Sequence, residues 1–175
     1  MEDYSQWRIA PWETPWESVR GLTLVSLVDD GELRIVVENV RDNGRPRWEI
    51  FCPAHTYPAY RNVLEDVRLR LWEALDKVGA PRTPAFEVLE SPWLKSLRES
   101  EPLLDVTYTG ARHWVITSED DVVEVLASCE PQIRSIEPAA PESEIPGKSE
   151  VFYHPEDKER MREAFPHWDH LKEDA

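Results

Sequence analysis

Glycine is scarce in this chain: six residues in 175, none in the GxGxxG or GxxxxGK spacing that wraps backbone amides around a phosphate. The Gly-x-Ser-x-Gly turn that lifts a nucleophilic serine out of a sheet is missing too. Cysteine is nearly absent. Cys52 and Cys129 lie far apart and neither belongs to a Cys-x-x-Cys pair. That excludes a disulfide framework and gives no support to a zinc knuckle or a dithiol redox motif. Two free, largely buried thiols are the expectation, with a single Cys52–Cys129 bridge as the alternative. The chain also lacks any run of about 20 apolar residues, the length a bilayer-crossing helix needs. Its start, Met1 to Trp7, has neither a basic stretch nor an apolar core. No signal peptide is expected, and a cytoplasmic location follows by default.

Positive charge is in short supply. The 35 Asp and Glu outnumber the 20 Lys and Arg, for a formal net charge of −15. Such a field repels phosphate and anionic lipid and draws in cations from a distance. Nucleic acid and membrane are therefore not expected partners; a basic protein is. The surplus is not confined to one end, since residues 1–137 carry 25 acids and 15 bases and residues 138–175 carry 10 and 5.

Tryptophan, by contrast, is abundant, with eight copies. Indoles bury well, and a chain of this length can enclose a core, so a packed domain is expected rather than disorder. Pro11-Trp12-Glu13-Thr14 is echoed by Pro15-Trp16-Glu17-Ser18. The simplest reading is an N-terminal arm pinned to the domain by Trp7, Trp12 and Trp16. The sharper one is an exposed aromatic–acidic patch for a partner.

Strands are signalled next. Leu22 to Val28, Leu33 to Glu38 and Arg47 to Cys52 are separated by Asp29-Asp30-Gly31 and Asp42-Asn43-Gly44, which predicts a three-strand meander. Tyr60, Val63, Leu64, Val67, Leu71, Leu75 and Val78 recur at steps of three and four, predicting a long helix from Pro58 to Val78. Phe86 to Leu89 reads as a short strand, followed by a helical turn capped by Ser91 with Pro92 in its first position. After a strand at His113 to Thr117, Ser118-Glu119-Asp120-Asp121 has the form of a capping box and predicts a second helix through Leu126. Gln132 to Ile136 closes the core as a strand. The expected fold class is thus α+β, an antiparallel sheet covered by one long and one shorter helix. The expected organisation is a core over residues 1–137, a Pro/Glu-rich linker over 138–150 and a helical tail over 151–175.

Chemistry is thinly signalled. His167 and His170 stand three apart with Asp169 between them, but a third ligand is wanting, so no metal and no other cofactor is expected. His113 and His55 stand alone in sequence, and a lone histidine is a weak catalytic signal. The acids of Glu119 to Asp121 are explained by a helix N-terminus, which favours negative charge by roughly 0.3–1 kcal/mol. The expected function is an acidic protein-binding module of the immunity-protein or antitoxin kind, which neutralises a basic effector such as a toxin and is not an enzyme. Expected contact residues are Glu119, Asp120, Asp121 and Glu124, with Trp12, Glu13, Trp16 and Glu17 as a second patch. The alternatives are an accessory or scaffold subunit docking through its C-terminal helix, and a hydrolase using His113 or the tail histidines.

Overall fold

Short runs of β-branched and aromatic residues, broken repeatedly by Asp, Gly and Pro, favour extended chain over helix. The computed structural model describes residues 7–16, 20–64, 71 and 84–138. Among these are nine strands: β1 (Arg8–Pro11), β2 (Leu22–Asp29), β3 (Leu33–Asn39), β4 (Arg47–Cys52), β5 (Ala59–Leu64), β6 (Ala85–Leu89), β7 (Arg112–Thr117), β8 (Asp121–Ala127) and β9 (Gln132–Ile136). They form a five-stranded sheet in the order β1-β6-β7-β8-β5 and a four-stranded sheet in the order β2-β3-β4-β9. Every strand pairing is antiparallel. Two short helices, α1 (Pro92–Ser100) and α2 (Leu104–Thr107), lie between β6 and β7. The chain divides into two compact units, Met1–Pro138 and Ala139–Ala175. All described residues belong to the first.

The two sheets face each other across one core. Leu22, Leu33, Ile35, Val37 and Ile50 from the four-stranded sheet meet Trp114, Ile116, Val123 and Val125 from the five-stranded one. Trp12 and Trp16 join that core, with ring centroids 4.9 Å from Trp114 and 5.4 Å from Trp48 respectively. The outer face of the five-stranded sheet is also covered. Phe86, Val88, Val115 and Val122 pack there with Trp7 and Leu71, and Leu126 packs with Leu94, Leu104 and Ala111. The architecture is a two-sheet antiparallel β sandwich whose larger sheet is buried on both sides.

The meander of β2, β3 and β4 is present, and its turns use the expected chemistry. The Asp29 carboxylate accepts from the Gly31 N–H at 3.2 Å, and Gly31 adopts a φ of +101° that a side chain disfavours. Gly44 N–H donates to Asp42 in the same way, at 3.0 Å.

The expected α+β class is corrected on two counts. Residues 59–64, assigned to the start of a long helix, form edge strand β5, paired with β8 from Ala59↔Leu126 to Leu64↔Asp121. Over so short a stretch Tyr60 and Val63 satisfy a helical spacing by coincidence, and the free edge of β8 supplies the pairing that decides. Beyond it, Leu71 is helical and buried; the rest of the proposed helix lies outside the described residues. The second correction concerns the helix from Ser118, which is strand β8. Ser118 does accept from the Asp121 N–H, at 2.9 Å, but its own N–H donates to the Asp121 carbonyl at 2.8 Å, closing a hairpin with Glu119-Asp120 at its tip. Val122 and Val123 are adjacent yet both fully covered, because the strand is buried on two faces and shows no alternation. The linker and the C-terminal helix of the expected organisation fall outside the described residues.

Ile35 is fully enclosed between the sheets. Ile35→Ala is expected to lower stability by about 2–5 kcal/mol, read as a shift of the urea midpoint at unchanged m-value.

Candidate functional site

The residues expected to form a contact surface do not come together. Trp12 and Trp16 are core residues, and the indole N–H of Trp12 donates to Glu130 at 3.0 Å. Glu13 is exposed beside them, and Glu17 lies outside the described residues. At the β7–β8 hairpin tip, Glu119 is ion-paired with Arg41 at 2.6 Å and Asp121 accepts from the Asn62 amide at 3.0 Å, leaving Asp120 exposed. Glu124 is not at the surface at all. Its side chain is 1% exposed, which removes it from any docking patch.

Glu124 belongs instead to a buried polar cluster on the outer face of the five-stranded sheet. β5 places Arg61 directly opposite Glu124 on β8, and the guanidinium donates to the Glu124 carboxylate. On the other side β7 brings His113 Nε2 to 3.0 Å from the same carboxylate oxygen. That spacing suits a hydrogen bond, although its alignment is poor. His113 Nδ1 in turn lies 2.8 Å from Ser91 Oγ. Ser91 caps α1 and accepts from the Leu94 N–H at 3.1 Å. Aromatic rings close the cluster: Trp7 and Trp93 present near-perpendicular contacts to the His113 ring at 5.5 and 5.3 Å, and Arg61 lies over Trp93 at 4.3 Å.

An ionised Glu124 carboxylate can only accept, so in the neutral imidazole the N–H belongs on Nε2 facing it, and Nδ1 accepts from the Ser91 hydroxyl. Burial pushes the Glu124 carboxyl upwards, but hydrogen bonds and charge from His113 and Arg61 outweigh it and hold the group below the ordinary glutamate value. The carboxylate is therefore ionised at neutral pH, with the Arg61 guanidinium as its counter-charge. The arrangement is a chain of hydroxyl, imidazole and carboxylate in which each group is oriented by the next.

A cleft of about 490 Å³ opens beside it between the end of β6, the start of β7 and α1. Ser91 lines this cleft together with Val88, Leu94 and Ala111, and the cationic Lys95 and Arg112. Among the described residues no group of His, Cys, Asp and Glu is placed to hold a metal ion. His55 stands apart in the β4–β5 loop with a φ of +62°. His167 and His170 lie outside the described residues. No helix among the described residues is long and apolar enough to cross a membrane. Searches of protein-family models, of curated proteins and of solved structures find no match to this chain.

One signal in the sequence marks the cluster. Glu124 interrupts the run Val122-Val123-Glu124-Val125-Leu126, and His113 precedes the run Trp114-Val115-Ile116. A charge inside a β-branched run needs a buried partner. Nothing in sequence pairs Ser91 with His113 or Arg61 with Glu124, because those contacts are made only by strand order.

Both cysteines are free, Cys52 buried and Cys129 exposed. Burial, with a smaller push from the neighbouring Cys129, raises the Cys52 thiol to about 12. Iodoacetamide at pH 8 is expected to modify Cys129 within minutes and Cys52 only after unfolding, read by mass as one adduct and then two.

The pH behaviour of Glu124 follows from its lowered folded-state value. Such a group contributes stability that is complete above its unfolded value and is lost as pH falls through the folded one. Urea unfolding is therefore expected to show stability dropping on the acid side of pH 4.5, the ordinary glutamate value. Glu124→Gln flattens that slope and lowers stability at pH 7 by about 3–5 kcal/mol, because a buried ion pair loses its anionic member.

Proposed function

We propose that the protein is an acidic protein-binding module that neutralises a basic effector, in the manner of an immunity protein or antitoxin, and that the α1–α2 corner is its contact surface. One observation carries this reading. Leu103 and Val106, one helical turn apart, are 73% and 75% exposed. Beside them Glu99 and Glu101 are exposed and make no ion pair among the described residues, while Asp105 is held by Arg98 at 2.7 Å. An apolar centre rimmed by unneutralised carboxylates suits a basic surface with an apolar recess, the rim steering association and the centre slowing release. The hairpin tip at Glu119 to Asp121 is a weaker choice, since Arg41 and Asn62 already occupy two of its three acids. A cytoplasmic site of action belongs to the same proposal. The scaffold alternative rests on residues 151–175, outside the described ones.

The test is capture of a basic partner by the full chain from extracts of the cells that encode it, followed by binding kinetics on the purified pair. The association rate is expected to fall at least tenfold between 50 and 500 mM salt. Glu99→Lys with Glu101→Lys is expected to reduce it by a similar factor at low salt, and Leu103→Ser with Val106→Ser to raise the dissociation rate. A partner whose kinetics ignore salt and both double variants overturns the reading.

A further inference from the structure

We propose that Ser91 is a nucleophile, and that the Ser91–His113–Glu124 chain gives this protein an acyl-hydrolase activity towards small esters entering the cleft beside α1. The proposal is independent of the α1–α2 corner and its partner. It rests on three features that coincide. The first is the chain itself: Ser91 Oγ is 2.8 Å from His113 Nδ1, and His113 Nε2 is 3.0 Å from the Glu124 carboxylate. Nucleophile, base and orienting acid thus stand in series within about 3 Å of one another, with the imidazole turned so that Nδ1 meets the serine and Nε2 the carboxylate. The second is position. Ser91 is the N-cap of α1, a helix of nine residues, and the Leu94 N–H donates to its Oγ at 3.1 Å, which fixes the serine side chain against His113. The third is access to a ligand. Ser91 is itself only 4% exposed, yet it lines the 490 Å³ cleft.

The lining suggests the substrate. Val88, Leu94 and Ala111 offer an apolar wall for a short acyl chain. The charged lining is mixed, with Glu87 and Glu90 beside Lys95, Arg98 and Arg112, so the apolar wall and not a charged group selects the ester. The bent Nε2···Oε2 contact is the kind that tightens when a substrate settles. The cluster is buried and walled by Trp7 and Trp93, which strengthens each electrostatic contact inside it.

The step balances without any cofactor. Ser91 Oγ bonds to the ester carbonyl carbon and its proton passes to His113 Nδ1. The tetrahedral adduct collapses, the carbon–oxygen bond to the alcohol breaks, and the alcohol leaves with that proton. Water then attacks the acyl-serine, gives a proton to His113 and releases the carboxylic acid, while Ser91 recovers its hydrogen. Glu124 is a positioning residue: it holds the imidazole N–H and stabilises the imidazolium through the charge that Arg61 keeps in place.

The experiment is labelling of the full chain with a fluorophosphonate probe, followed by intact-mass and peptide-level mapping. A single adduct on Ser91, lost in 6 M urea, is the expected result, with p-nitrophenyl acetate hydrolysis falling as labelling proceeds. His113→Gln is expected to slow labelling at least tenfold. Glu124→Gln is expected to shift the pH profile of labelling, a readout that a purely structural carboxylate leaves unchanged. Absence of an adduct on Ser91 in the folded wild-type protein overturns the proposal, as does labelling that persists in urea. Both measurements use the wild-type chain, so a variant that fails to fold does not blunt them.

Discussion

A single buried carboxylate organises the larger sheet. Glu124 sits in the middle of β8, and an ion there is tolerated only with its counter-charge and hydrogen bonds in place. Arg61 supplies the charge from the strand directly opposite, so the register of β5 is tied to Glu124. A slip of one residue turns Arg61 to the other face and strands the carboxylate, at a cost of several kcal/mol. From the same carboxylate the contacts continue through His113 to Ser91 and so to the first turn of α1. Edge strand, central strands and helix are thereby held by one polar line running through an apolar layer.

Elsewhere the acid surplus is met locally by arginine. Glu38, almost wholly buried, is clasped by Arg45 and Arg47; Glu49 by Arg134; Asp30 and Glu32 share Arg34. Guanidinium suits this work because it stays charged and offers several donors in one plane. The negative field over the described residues is therefore broken into pieces, and net charge alone does not locate a contact surface. The contact surface proposed at the α1–α2 corner rests instead on exposed apolar side chains beside acids that make no ion pair among the described residues.

Burial of the tryptophans has the same lesson. Trp12 and Trp16 fill the space between the sheets near Trp114 and Trp48, and Trp7 covers the outer face beside His113. An arm pinned down by its indoles was legible from the density of tryptophan near the N-terminus. Which layer each indole enters was not, because that depends on β1 pairing with β6, a partner some 75 residues away.

The amino-acid sequence by itself determined the local elements whose cause is local. Asp and Gly set the turns of the β2–β3–β4 meander, Ser91 and Pro92 set the start of α1, and the acid surplus set the sign of the surface field. Only the tertiary structure decided that residues 59–64 are a strand and that Ser118 to Asp121 close a hairpin. A doubly covered sheet erases the alternation by which strands are recognised, and a serine–aspartate step serves a turn as well as a helix. The meeting of Arg61, Ser91, His113 and Glu124 was also decided there. Those side chains come from four separate elements, and only strand order brings them within hydrogen-bonding distance.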